Sequence, residues 1–410
     1  MIAAVVRSGR WVDSARLMAA ARVAEDMPGV DAAACFMGTP ANLEQAREVG
    51  LMTAEIADAG PDDLVVSVRG EAAEMGLMAA QAALDSRPAG GGGAGEPEAL
   101  PRSVAGLDAD LALISVPGDY ATLEAHRALG AGMDVMLFSD GVTLDDEVAL
   151  KRRAHSLGRV VMGPGCGTAI LDGIGLGFAN QVSRGPVGVL AAAGTGAQEA
   201  TVLLDRFGVG VSYCYGTGGR DLNARVGAIT ALDAIERLAA DEATEVLLLV
   251  SKPPAPDVAS RVLEAMAATG RPGAACLVGA EGIVGPPGIE VHPTIDAAVL
   301  AAARLAGARP VIPAPEPAGC VSAGHVRGLF SGGTLCSEAA AILAAQLGRV
   351  VSNAPAGAAA RLEPGNVVRG HACIDLGEEE YTRGRPHPMI DPEARAELLV
   401  TTIIDQTVAV

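Results

Sequence analysis

The sequence predicts a multidomain α/β protein with parallel sheets, on three observations: its length, its aromatic-poor apolar composition, and a strand–helix alternation that restarts several times. At 410 residues the chain exceeds one ordinary core, since cores stop growing near 250 to 300 residues. Half of the residues are hydrophobic but only 2% are aromatic, so the cores must be small aliphatic side chains packed between helices and sheets. A net charge of -19 repels polyanions and anionic bilayers, which excludes nucleic acid and membrane surface as general partners.

Residues 1–88 read as a small α/β module. IAAVV is strand-like from Ile2, a helix follows through WVDSARLMAAARVAE, and VDAAACFM is a second strand closed by Gly38-Thr39-Pro40. DLVVSV and the helix EAAEMGLMAAQAAL complete it. Residues 86–105 are rich in Gly and Pro and predict a linker.

Residues 106–182 carry LALISV, a helix over Ala121 to Ala131, DVMLFS, a helix over Leu144 to Leu157, and RVVMGPG. This βαβαβ order predicts a Rossmann-like domain. Residues 183–309 repeat the theme with VGVLAAA, GVSYCYGT, EVLLLVS and GAACLVG, and predict a flavodoxin-like domain. Pro310 to Pro317 holds four prolines and reads as a stiff connector. Residues 318–410 give a further α/β unit in which VRGLFS, RVVSN and HACIDLG are strands. Its final DQTVAV reads as the approach to a strand left incomplete, which predicts a shortened last domain.

Seven cysteines without a C-x-x-C pair predict neither a disulfide framework nor a zinc site. No metal is expected. No basic-then-apolar leader opens the chain, and no apolar run reaches the roughly 18 residues of a membrane helix, so a cytoplasmic location is expected.

Two glycine turns share one design. VGVLAAA runs into Gly194-Thr195-Gly196 before a helix from Gln198, and VRGLFS into Gly332-Gly333-Thr334 before a helix from Ser337. Small residues let backbone N–H groups approach a ligand, and a helix N-terminus attracts an anion. Either the pair clamps one carboxylate or phosphate, or both are plain βα turns. Gly216 to Asp221, with Gly218, Gly219 and Arg220, ends another strand and could complete such an anion site.

Pro117, Gly118, Asp119 and Tyr120 end one strand, and Ser139, Asp140 and Gly141 end the next. Both turns lie at the carboxyl edge of a sheet, where open α/β sheets bind ligands. Gly163 and Pro164 begin the glycine-rich stretch around Cys166, which reads as a structural or binding loop because no adjacent base or charge activates the thiol. Tyr381 to Asp391 is polar and stiff. Its Arg385 suits anion binding and its His387 proton transfer, against the alternative of a solvated loop.

The run VPGDYA, SDG, RVVMGPGCGTAIL, VGVLAAAGTGAQEA, GTGGRD resembles the α subunit of succinyl-CoA synthetase. MGTPAN, VRGLFSGGTLC, IDLG and GRPHPMIDP resemble, more specifically, the FdrA family of that superfamily, over essentially the whole chain. The resemblance implies that the Pro117 to Tyr120 and Ser139 to Gly141 turns, with Gly163 and Pro164, touch CoA, and that the two glycine-turn helices face a phosphorylated histidine. Two departures follow. No Gly-His-Ala-Gly follows Leu277 to Gly279, and Ser251-Lys252-Pro253-Pro254 stands where the relatives carry a supporting glutamate. What this implies is an enzyme subunit that transfers an acyl or carbamoyl group from its phosphate, like an oxamate carbamoyltransferase of allantoin catabolism, with Lys252, Arg385 and His387 as catalytic candidates. The alternatives are an acyl-CoA ligase completed by a partner chain, and a non-catalytic CoA-binding regulatory subunit. Small anionic substrates, CoA as the one cofactor, and a homo-oligomer or a hetero-oligomer with neighbouring-gene subunits are expected.

Overall fold

The computed structural model describes residues 1–10, 12, 14–85, 104, 107–279, 282–310, 324–363, 368, 370–382, 388–390, 395–396 and 398–400. The chain divides into two compact units, Met1–Ala99 and Leu100–Val410.

The first unit follows the strand–helix order its sequence predicts, with one unpredicted helix, α2, after the Gly38-Thr39-Pro40 turn: β1 (Ile2–Arg7), α1 (Ser14–Glu25), β2 (Val30–Met37), α2 (Pro40–Glu48), β3 (Leu64–Gly70) and α3 (Ala73–Asp85). Its sheet has the order β1-β3-β2, with β3 antiparallel to both neighbours. The centre is β3, the most apolar strand, whose Leu64, Val65, Val66 and Val68 are fully buried. The hydroxyl of Ser67, buried among them, donates to Leu51 O at 2.7 Å, so no polar atom is stranded there. Thr39 caps α2 by accepting from Asn42 N at 3.3 Å, with Pro40 at the first helical position.

In the second unit β4 (Leu111–Ile114), α4 (Gly118–Gly130), β5 (Asp134–Leu137), α5 (Leu144–Ser156) and β6 (Val161–Met162) make a parallel sheet of order β4-β5-β6. The next strands are β7 (Thr168–Leu171), β8 (Ile174–Gly177), β9 (Arg184–Ala192), β10 (Val211–Gly216), β11 (Val246–Ser251), β12 (Gly273–Leu277) and β13 (Ile289–His292). They form one sheet of order β13-β12-β11-β9-β10-β7-β8. From β13 to β10 the pairing is parallel. The hairpin β7–β8 joins antiparallel through β10, so residues 168–177, which the sequence placed in the 106–182 module, hydrogen-bond to the following sheet.

Helices α6 (Gly194–Arg206) and α9 (Ile295–Leu305) cover one face, and α7 (Ile229–Ala240) and α8 (Pro256–Ala268) the other. Read along the parallel part, the order is second, first, third, fourth, fifth: the flavodoxin-like winding, whose switch point lies between β9 and β11. Burial on both faces explains why VLLLVS of β11 is a continuous apolar run rather than an alternating one.

A third sheet holds β14 (Arg327–Phe330), β15 (Val350–Ser352), β16 (Ala360–Arg361) and β17 (His371–Asp375), all parallel, in the order β14-β17-β15-β16. Helix α10 (Gly333–Leu347) packs on it, and the short α11 (Glu379–Thr382) follows β17. The connector at 311–317 and nearly all of the 86–105 stretch lie outside the described residues. Among the described residues no helix is long and apolar enough to cross a membrane.

Candidate functional site

The carboxyl ends of β9, β10 and β11 stand side by side, so the turn at Gly194 is flanked by Thr217 to Asp221 on one side and by Lys252 on the other. Both predicted helices begin earlier than expected. Gly194-Thr195-Gly196 is the first turn of α6, and Gly333-Thr334 opens α10, with Gly332 as its extended N-cap. Neither helix has a side-chain cap or an acidic residue in its first turn. The first helical bonds are Ala197 N to Ala193 O at 2.9 Å and Cys336 N to Gly332 O at 3.3 Å. The N–H groups at 194–196 and 333–335 therefore lack intrahelical partners.

The two openings meet. A Cβ on Gly332 would lie 2.2 Å from Thr195 Cγ2, and one on Gly196 would lie 3.0 Å from Thr334 Cγ2. A Cβ on Gly333 would lie 2.2 Å from Lys252 Nζ and 2.9 Å from Asp375 Oδ2. Glycine at 332 and 333 is thus a matter of close approach: each turn leaves the space that the other turn or Lys252 fills.

Lys252 follows β11, and Asp375 is the last residue of β17. Asp375 is only 3% exposed. Burial pushes its carboxyl up to about 6, against opposing pulls from the Gly377 N–H and the nearby Lys252 charge. Asn353 fixes this strand end, donating from Nδ2 to Asp375 O and accepting from Asp375 N, both at 2.8 Å. In the adjoining turn, Ser331 Oγ is buried with no hydrogen-bond partner among the described residues. Asp375 was not singled out from the sequence. The available signal was an acid ending the apolar strand HACID at a sheet's carboxyl edge.

The loop after β10 departs from expectation. Arg220 does not stand free for an anion: its Nε donates to Glu147 Oε2 at 2.8 Å and its Nη2 to Val142 O at 2.8 Å. Gly218 has φ +90, and a Cβ there would lie 2.7 Å from Gly163 C, so it serves the abutment of two loops. Gly219 faces open space. Beneath them Lys151 is fully buried, with Nζ 2.8 Å from Asp221 Oδ1, 2.9 Å from Glu147 Oε1 and 2.9 Å from Thr217 O. Asp221 also caps α7 by accepting from Ala231 N at 2.9 Å. Four charges thus weld α5 to the β10–α7 loop.

At the first parallel sheet, Pro117 is the N-cap of α4, and its helix opening has no side-chain cap. A Cβ on Gly118 would lie 2.5 Å from Asp140 O, which presses that turn against Gly141, at φ +71. Ser139 is buried and donates to Val116 O and to Ile114 O, tying the ends of β4 and β5 rather than facing a ligand. Asp119 is in the first turn of α4, and Tyr120 is half exposed. A depression of about 440 Å³ is bordered by Gly118, Asp119, Leu123, His126, Gly141 and Asp146. Burial and the Arg153 charge push the His126 imidazole down. Gly163 packs on Leu137 O ahead of a cis bond to Pro164.

Burial raises the Cys166 thiol to about 12, which makes it a poor nucleophile. Arg385 and His387 lie outside the described residues. Among the described residues no three His, Cys, Asp or Glu side chains are grouped as a metal site.

Relatives place this geometry in a class. Over 154 residues the chain is 29% identical to the alpha 1 subunit of ADP-forming succinate–CoA ligase from Archaeoglobus fulgidus, a match covering 37% of this chain and 52% of that subunit. It is a protein of the acyl-CoA ligase superfamily. Residues 1–99 match the family model described as AllF, heavy metal-associated domain. The uncharacterised protein YahF of Escherichia coli strain K12 is 36% identical over 422 residues, covering 99% of this chain and 82% of that protein. The chain belongs to the FdrA family. A dinucleotide-forming acetyl-coenzyme A synthetase 1 from Ca. Korarchaeum cryptofilum, in its apo form, shares 21% identity at a TM-score of 0.39, over 60% of this chain and 57% of that one.

Proposed function

We propose that the chain is an enzyme subunit that binds an acyl or carbamoyl phosphate where α6 and α10 open, and transfers its acyl group to an acceptor. The meeting of the two uncapped helix openings, with Lys252 Nζ beside Gly333, carries this reading. Six N–H donors and one ammonium match a phosphate dianion in number and sign. The acceptor attacks the carbonyl carbon, the bond from that carbon to the bridging oxygen breaks, and phosphate leaves with the electron pair. Lys252 offsets the charge gathering on the leaving oxygens. Asp375, poised near 6 by burial, takes the proton the acceptor loses. A carbamoyl donor with an oxamate-like acceptor is the form that the resemblance to FdrA-type proteins favours, and it makes neighbouring-gene subunits the expected partners.

A second reading is acyl-CoA ligation with a partner chain. It is favoured by the succinate–CoA ligase likeness and by the depression at the α4 opening. The α4 amides fit a pyrophosphate, but Asp119 and Asp146 on the rim oppose one. The proposed transfer therefore runs without CoA.

Titration calorimetry with carbamoyl phosphate, and separately with CoA, divides the readings. Carbamoyl phosphate binding lost in Gly196→Val, whose side chain would crowd Val250 and Thr334, supports transfer at the helix pair. Tight CoA binding without any response to carbamoyl phosphate sinks it and leaves the ligase reading.

A further inference from the structure

The four-stranded sheet has a second, unrelated concavity at its other end. Asp375 ends β17 and belongs to the helix-pair site, whereas His371 begins the same strand, roughly 13 Å away at about 3.3 Å per residue. At this amino edge a cavity of about 580 Å³ is lined by His325, Arg349, Arg361 and His371. Four basic groups are unexpected together in a chain of net charge -19. Arg349 and Arg361 have no ion-pair partner among the described residues, and the acid on the lining is Glu363.

The histidines are oriented. His371 Nδ1 accepts from Val326 N at 3.0 Å, so the neutral ring carries its proton on Nε2 and offers a donor there. His325 meets it edge-on, with ring centroids 5.3 Å apart. The remaining wall includes Leu347, Val351, Leu362 and Val368. A bare inorganic ion would leave that wall to water, whereas cavities of roughly 300–1,000 Å³ suit a small organic molecule.

We propose that this cavity binds a phosphomonoester of nucleotide size, its phosphate between Arg349 and Arg361 with the His371 donor, and its organic body along the aliphatic wall. Arginine forks match phosphate oxygens in geometry as well as charge. The site is separate from the helix pair and does not depend on the transfer reading.

The probes are AMP and inorganic phosphate, titrated calorimetrically into the full chain. AMP binds and phosphate binds more weakly, by at least about tenfold, because only AMP covers the apolar wall. The double variant Arg349→Ala/Arg361→Ala, in two exposed side chains, weakens AMP by about a hundredfold while its circular dichroism and melting stay those of the parent. Gly196→Val leaves AMP affinity unchanged. Absence of AMP binding, equal affinity for phosphate, full affinity in the double arginine variant, or loss in Gly196→Val would each overturn the assignment.

Discussion

Replacing Asp375 with Asn tests the charge economy of the helix-pair site. The carboxyl is 3% exposed and sits near 6 in the fold, against an ordinary value of 3.8. At about 1.36 kcal/mol per pH unit, that difference favours the neutral form by about 3 kcal/mol. An acid raised in the folded state binds its proton more tightly there, so the parent's stability falls as pH rises from 3.8 through about 6 and then levels. Asn keeps the shape, can still accept from the Gly377 N–H, and has no charge to desolvate. Urea unfolding followed by circular dichroism should therefore find Asp375→Asn more stable than the parent near neutral pH. The advantage should grow by about 2 kcal/mol between about pH 4.5 and about pH 7.5. If Asp375 takes the acceptor's proton, the parent's transfer rate has an acid limb near 6 that the variant lacks, and the variant's rate is lower by about a hundredfold. A variant less stable at every pH would show that the Lys252 interaction outweighs burial, and a pH-independent difference would refute the argument.

Gly332→Ala drives its Cβ to 2.2 Å from Thr195 Cγ2, so carbamoyl phosphate affinity in calorimetry should fall by at least about tenfold, with partial recovery in Thr195→Gly/Gly332→Ala. Lys151→Met leaves Asp221 buried without its cation, while Glu147 keeps Arg220. It should cost about 3 to 5 kcal/mol in urea unfolding, most of it regained when Asp221→Asn is added. Unchanged stability in Lys151→Met would refute this account of the buried cluster.

Much of the strand order was legible because parallel strands buried on both faces write themselves as apolar runs. VGVLAAA, EVLLLVS and GAACLVG all became strands of one sheet. The hairpin β7–β8 was not legible. TAILDGIGLG is glycine-rich, and its partner is β10, about 44 positions on, which local pattern does not encode. The short strands β13 and β16 escaped for the same reason. The sequence predicts the starts of α6 and α10 four residues too late, because glycine's poor helix propensity points to loops, whereas packing between the two helices holds glycine in the first turn.

By itself the sequence determined the class of the molecule: acidic and aromatic-poor, with sheets built on repeated strand–helix units and glycine turns at strand ends. Those properties are local or additive, and a linear string carries them. Only the tertiary structure decided that Thr195 fits against Gly332, that Lys252 and Asp375 flank Gly333, and that Arg220 is held by Glu147. Each is a contact between residues roughly 40 to 140 positions apart. Such pairs are selected by the packing of whole sheets and helices, and the burial that raises Asp375 exists only once that packing is complete.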